Sequence, residues 1–203
     1  GLVGYTVFFT VFGLSSSLLM ALVARFLAGA FNANIAVAKA YIGDVSDHTN
    51  LAKRMGLIGA SFGLGFTIGP FLGGEFSDPA LRWELFQNTI FETHSYLLPC
   101  VIGSALSTIS FLLAIKYLPE SNPVEIRESS KSLNPLKQIS NTISDIKKIS
   151  AMPQLGNLVS ISVFFVYGFT IMHAVFVLFT ELDLGFSVAE NGRVFAIIGI
   201  NGL

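Results

Sequence analysis

The sequence predicts an all-α fold, a polytopic bundle of membrane-spanning helices, and three observations carry that prediction. Of 203 residues 52% are hydrophobic and only 12% charged, where a soluble domain carries about 25% charged residues. Residues 1–24, 55–74, 95–115 and 149–180 contain no Asp, Glu, Lys or Arg, and each approaches or exceeds the ~20 residues that cross a bilayer. Lys and Arg are unevenly shared between the connections, as the positive-inside rule requires of a multi-pass protein.

In chain order, hydropathy places a partial helix over 1–14 and a tight polar turn at Ser15, Ser16 and Ser17. A long helix follows over 18–44. A short charged loop through Asp47, His48, Lys53 and Arg54 leads into a glycine-rich helix over 55–74. A longer loop with Glu75, Asp78, Arg82, Trp83, Glu84 and Glu92 precedes a span over about 95–118. Residues 119–155 are polar and punctuated by Pro119, Pro123, Pro135 and Pro153, so they form a linker between two bundles. A helix over 156–181, a turn containing Gly185, Ser187 and Asn191, and an apolar run over 194–203 complete the order.

Several classes of function are disfavoured. A net charge of −1 offers no basic footprint for nucleic acid, and the single Cys100 excludes an internal disulfide or a multi-cysteine metal site. His48 and His94 show no metal-ligand spacing, and no resident metal or cofactor is expected. The first stretch lacks a charged n-region and is followed by further spans, unlike a cleaved signal peptide. Both ends lie inside apolar sequence, so the expectation is a fragment of a longer chain.

Counting Lys and Arg by side gives the topology. The loop 44–54 has Lys53 and Arg54, and the linker with its approach has Lys116, Arg127, Lys131, Lys137, Lys147 and Lys148. The opposite side has Arg82 and Arg193 alone. The loop 44–54 and the linker are therefore expected in the cytoplasm. Within the linker Leu136, Ile139, Ile143, Ile146 and Ile149 recur at helical spacing. That pattern reads either as an amphipathic helix on the cytoplasmic face or as a solvated tether.

Two features break the rules of a membrane segment. Arg25 lies within the apolar helix 18–44, where a charge is costly; such a residue faces a bundle interior or a water-filled path, the alternative being a side chain that snorkels to an interface. Gly29, Asn32, Ala33, Ala36 and Ala40 continue a face of small and polar residues from it. Lys39, close to Asp44, reaches the surface by snorkelling alone. The second feature is the crowding of Gly59, Gly63, Gly65, Gly69, Pro70, Gly73 and Gly74 into one span, against helix propensity. Gly65, Gly69 and Gly73 repeat every four residues, a bare groove for a neighbouring helix. Pro70 removes the backbone donor that the carbonyl of Phe66 would use, and so bends the helix. Both a hinge between moving bundles and a static packing face fit.

These residues, in this order, resemble the major facilitator superfamily and its drug:proton antiporter subgroup. Arg25 and Gly29 have the RxxxG spacing of the fourth-helix motif. Gly65, Gly69, Pro70, Gly73 and Gly74 match the antiporter motif GxxxGPxxGG of the fifth helix at every fixed position. Leu118-Pro119-Glu120-Ser121 resembles the LPES end of the sixth helix. Ala40 to Asp44 with Lys53 to Gly56 is similar to the tetracycline-efflux branch, and Phe12 to Ser15 with Leu98-Pro99-Cys100 to zinc-induced-facilitator-like carriers.

The resemblance implies a fragment of a twelve-helix fold: part of the N-terminal bundle over 1–118, the central cytoplasmic loop over 119–155, and helix seven with part of helix eight over 156–203. It implies a multi-pass transporter in the plasma, inner or vacuolar-type membrane. That carrier exports drugs or other small molecules against protons, is driven by the proton gradient, and is monomeric at full length. It assigns Arg25 to proton coupling, Asp44 to a gating charge pair whose basic partner lies in a loop between helices two and three, and the helix-five motif to the bundle interface. The span residues contain no Asp or Glu, so the proton-carrying acid is expected in other helices. Asn32, Tyr167 and His173 are candidate cavity residues; a polar group satisfied inside the bundle is the plainer reading for the last two. Trp83 reads as an interfacial anchor, and Glu181, Asp183 and Glu190 as a solvated outer face. The alternatives are a zinc-induced-facilitator-like exporter of metal chelators or organic anions, and a non-transporting receptor of the same fold. No catalytic signature such as GxSxG or HExxH is present, so no enzyme is expected.

Overall fold

In the computed structural model the described residues are 1–121 and 152–201, with the single positions 141, 144 and 148 between them. The segment 136–149, with its helical spacing of Leu and Ile, lies outside the described residues apart from those positions. Everything else described is helix, turn or loop. The chain divides into two compact units, Gly1–Ser121 with Phe186–Leu203, and Asn122–Gly185.

The first unit begins with a hairpin. Helix α1 (Leu2–Gly13) ends where Ser15 folds back, its Oγ donating to the Phe12 carbonyl at 2.7 Å. Ser17 then starts α2 (Leu18–Ala30) by accepting from the Met20 N–H on its side chain, which satisfies one of the donors that a helix start leaves open. The sequence predicts one helix over 18–44. Instead α2 stops at Ala30 and α3 (Asn34–Val45) starts anew. The reason is local and tertiary together. Phe31 stacks on Phe8 at 5.5 Å and fills the notch at Gly4, where a Cβ would stand 2.6 Å from its own. The Asn34 amide meets the Asn32 side chain at 3.4 Å, and asparagine side chains compete with helical backbone bonding.

Helix α4 (Leu51–Glu75) carries Pro70 in its interior, and a folded loop follows it. That loop contains α5 (Pro79–Arg82), a 3-10 turn (Glu84–Phe86) and α6 (Ile90–Thr93). Asp78 and Asn88 adopt left-handed backbone angles there, tolerable for these short polar residues. Phe76, Trp83, Phe86 and Phe91 form a chain of ring contacts of 5.1–6.0 Å across the loop. Helix α7 (Leu97–Tyr117) returns through the membrane and packs along α1.

Small residues make that packing. Ala24, Ala28 and Cys100 are buried, as are Ser104 and Ser107. Thr10 donates to Ser104 Oγ at 2.9 Å, Ser104 to the Thr6 carbonyl at 3.1 Å, and Ser107 to the Leu2 carbonyl at 3.2 Å. A Cβ on Gly13 would stand 2.7 Å from that of Cys100, and one on Gly103 2.7 Å from the Phe9 ring. Lipid is as apolar as leucine, so membrane helices associate through such close approach and polar glue rather than by hiding large side chains. The large side chains accordingly point outward: Leu18 and Phe26 are each 77% exposed.

Helix α8 (Pro153–Leu182) belongs to the second unit. At 30 residues it is about 45 Å long, longer than the ~30 Å hydrocarbon layer. Helix α9 (Val188–Asn201) belongs to the first unit and packs along α4. Its start is a reciprocal cap: Ser187 donates through its N–H and its hydroxyl to the Glu190 carboxylate at 2.8 and 2.7 Å, and the Glu190 N–H donates back to Ser187 Oγ. Glu190, read from sequence as part of a solvated face, is therefore half of a capping box.

Candidate functional site

Three places gather the chemistry. The first is Arg25, on the exposed side of α2 toward α1. Its guanidinium carbon lies 4.3 Å from the Phe12 ring centre and 5.5 Å from that of Phe9. Tyr5 stacks on Phe9 at 5.0 Å, so three rings at helical spacing run up to the arginine. A planar cation laid on an aromatic face gains about 0.5–2 kcal/mol, and its edge donors stay available for an anion. Arg25 thus rests on the π-faces of α1 while the residue stays exposed.

The second place is the end of α3, which the charge tally assigns to the cytoplasm. Asp44 accepts a hydrogen bond from Ser121 Oγ at 2.9 Å, which joins the end of α3 to the LPES segment after α7. Arg54 turns back onto the end of α3, donating to the Val45 carbonyl at 2.7 Å and to Ser46 Oγ at 3.2 Å. A cation is favoured there because the carbonyls of a helix end are partially negative.

The third place is the seam between α4 and α9, where the structure differs from the groove that the glycine repeat predicts. A Cβ at Gly65, Gly69 or Gly73 would meet nothing within 4 Å, so that stripe is open. The close face is the adjoining one, Thr67, Pro70 and Gly74. A Cβ on Gly74 would stand 2.8 Å from the Val188 carbonyl and 3.0 Å from the Ala189 Cα. A Cβ on Gly192 would collide with the Pro70 carbonyl, and one on Gly199 with the Thr67 side chain. Ala189, Gly192, Ala196 and Gly199 are spaced three, four and three residues apart, one ridge of α9. At the C-terminal end of α4 Glu75 takes two arginines. Arg82 Nη1 lies 2.8 Å from its Oε2, and Arg193 Nε donates to its Oε1.

The remaining candidates are Asn32, Tyr167 and His173. Asn32 sits in the break after α2 and is exposed. Tyr167 is 66% exposed on α8. His173, six residues on, contacts the Phe169 ring at 4.6 Å; at ~100° per residue it sits about 120° around the helix from Tyr167. Among the described residues no three His, Cys, Asp or Glu gather to hold a metal ion.

Residues 1–203 match the family model of the Major Facilitator Superfamily. The chain belongs to the major facilitator superfamily. As a superfamily member with four helical stretches long and apolar enough to cross a membrane among its described residues, one of them Leu18–Val45 with α2 and α3 taken together, it is an integral, multi-pass membrane protein. It is similar to zinc induced facilitator-like 1 of Arabidopsis thaliana, 30% identical over 98% of this chain and 45% of that protein. The class C tetracycline resistance protein of Escherichia coli is 26% identical over 98% of this chain and 45% of its own length. A major facilitator superfamily multidrug transporter of Aspergillus fumigatus is 30% identical over 61% and 21%. The chain spans less than half the length of the curated relatives it matches. No solved structure matches it.

Sequence reasoning missed Phe9 and Phe12 beneath Arg25, Ser121 on Asp44, and Glu75 between its arginines. The S-x-x-E pattern of Ser187 and Glu190 was a signal in plain sight. Phe9 and Phe12 carried none, since Phe occurs 19 times in the chain.

Proposed function

We propose that this superfamily member is part of a secondary transporter that exports a small molecule in exchange for protons, by alternating access of two bundles about a central cavity. The observation that carries the reading is the α4–α9 seam. The antiporter-motif helix meets α9 backbone to backbone at Gly74, Pro70 and Gly192, the contact expected where two bundles part and close. Arg25 would act on a proton-carrying carboxylate of another segment, because a positive charge nearby lowers a carboxylate pKa. Asp44 and Ser121 would hold the cytoplasmic ends together.

A second substrate reading, a metal chelate or organic anion rather than a cationic drug, is favoured by Arg25. It is a lone cation on α2 whose donor edge suits a carboxylate, and a zinc-induced-facilitator relative covers nearly all of this chain. The test is flux driven by a pH gradient in vesicles bearing the full-length carrier, offered cationic drugs, tetracyclines and metal chelates. Substrate release that follows the gradient supports exchange, and the class released separates the two readings. Flux of every substrate indifferent to the gradient overturns proton coupling.

A further inference from the structure

We propose that Glu75, Arg82 and Arg193 form a releasable latch over the outer end of the α4–α9 seam, an inference that rests on the alternating-access reading above. Glu75 is the last residue of α4, and its two cations are carried by different elements. Arg82 belongs to the loop that leaves α4 directly, and its Nη1 donates both to the Glu75 carbonyl and to Oε2, each at 2.8 Å. Only seven residues separate the two, so Arg82 travels with α4. Arg193 lies 118 residues away on α9, and its Nε reaches Oε1.

This division gives the carboxylate a permanent and a removable partner. When the outer end of α9 leaves α4, Arg193 goes with it, while Arg82 still neutralises Glu75. Opening therefore never strands an unpaired anion, and the bond that breaks is an exposed one, the Arg193 side chain being 58% exposed. Exposed pairs are individually weak, which suits a contact made and broken once per cycle. Directly beneath it Ala189, 5% exposed, sits against Gly74 and would meet water only when the seam opens. Glu190, one turn before Arg193, is held by Ser187; its charge also acts on the arginine, but Glu75 is the hydrogen-bonded partner and the larger influence.

Ala189→Cys in the full-length carrier, with Cys100→Ser, supplies the reporter: its rate of reaction with a membrane-impermeant maleimide added outside. Arg193→Gln is expected to raise that rate about fivefold, the equivalent of one exposed ion pair, and Arg193→Lys to restore the parental rate. Arg82→Gln is expected to change it less than about twofold, since the Glu75–Arg193 pair remains. A parental rate in Arg193→Gln, or an equal rise in Arg82→Gln, overturns the latch. Should Arg193→Gln fail to reach the membrane, the parent in high salt gives the same decision, because screening must speed the labelling; a rate insensitive to salt overturns the proposal. Gradient-driven flux with unresponsive labelling removes the latch and leaves the transport reading standing. Responsive labelling without flux of any substrate does the reverse.

Discussion

Arg25, a cation within apolar sequence, sits over the Phe12 ring at 4.3 Å. Two outcomes are expected of the full-length carrier. Arg25→Ala abolishes gradient-driven export while insertion and expression persist; normal coupled flux in that variant would sink the assignment. Phe12→Leu keeps the charge but removes the face beneath it, at a cost of about 0.5–2 kcal/mol, and is expected to weaken export without abolishing it. At the end of α3 Ser121→Ala deletes the Asp44 hydrogen bond, worth about 1 kcal/mol. The thermal midpoint of the purified carrier should fall slightly, and Asp44→Asn, which still accepts, should fall less. The arginine was legible in the sequence because a charge amid apolar residues is rare. Its rings were not, because phenylalanine on a membrane helix is the commonplace choice.

At the level of elements, the seam makes a prediction that separates adjoining faces of one helix. Gly192→Ala forces a methyl group into the Pro70 carbonyl, whereas Gly65→Ala or Gly69→Ala enters open space. The first is expected to cost about 1–3 kcal/mol as overpacking and to slow flux, the others to leave the α4–α9 contact intact, as cross-linking of the two helices would report. Ser187→Ala removes half of the box that opens α9 and should cost about 1 kcal/mol, read as faster amide exchange over its first turn. Spans were the readable part of the chain, since apolar length alone decides them. The break at residues 31–33 was not, because it depends on a notch at Gly4 far away in sequence. The face of α4 that meets α9 was not legible either, for a similar reason. Its glycine repeat is a property of one helix, while the face in use is chosen by the small ridge of α9.

For the whole molecule, the charge tally places the Asp44 end in the cytoplasm and Glu75 outside. Cysteines at His48 and at Glu84 of the intact carrier should react with impermeant reagent from opposite sides; the same side for both would overturn the topology. The small-residue core has a further consequence, for how the sequence can change. In a water-soluble domain the large buried side chains are the intolerant ones. Here the intolerant positions are the ones with almost no side chain, Ala24, Ala28, Gly13, Gly74 and Gly192. Leu18 and Phe26, each 77% exposed in this chain, lie outside that small-residue core. A saturation scan of this protein should therefore look inverted, with its silent positions among the bulkiest residues and its lethal ones among the smallest.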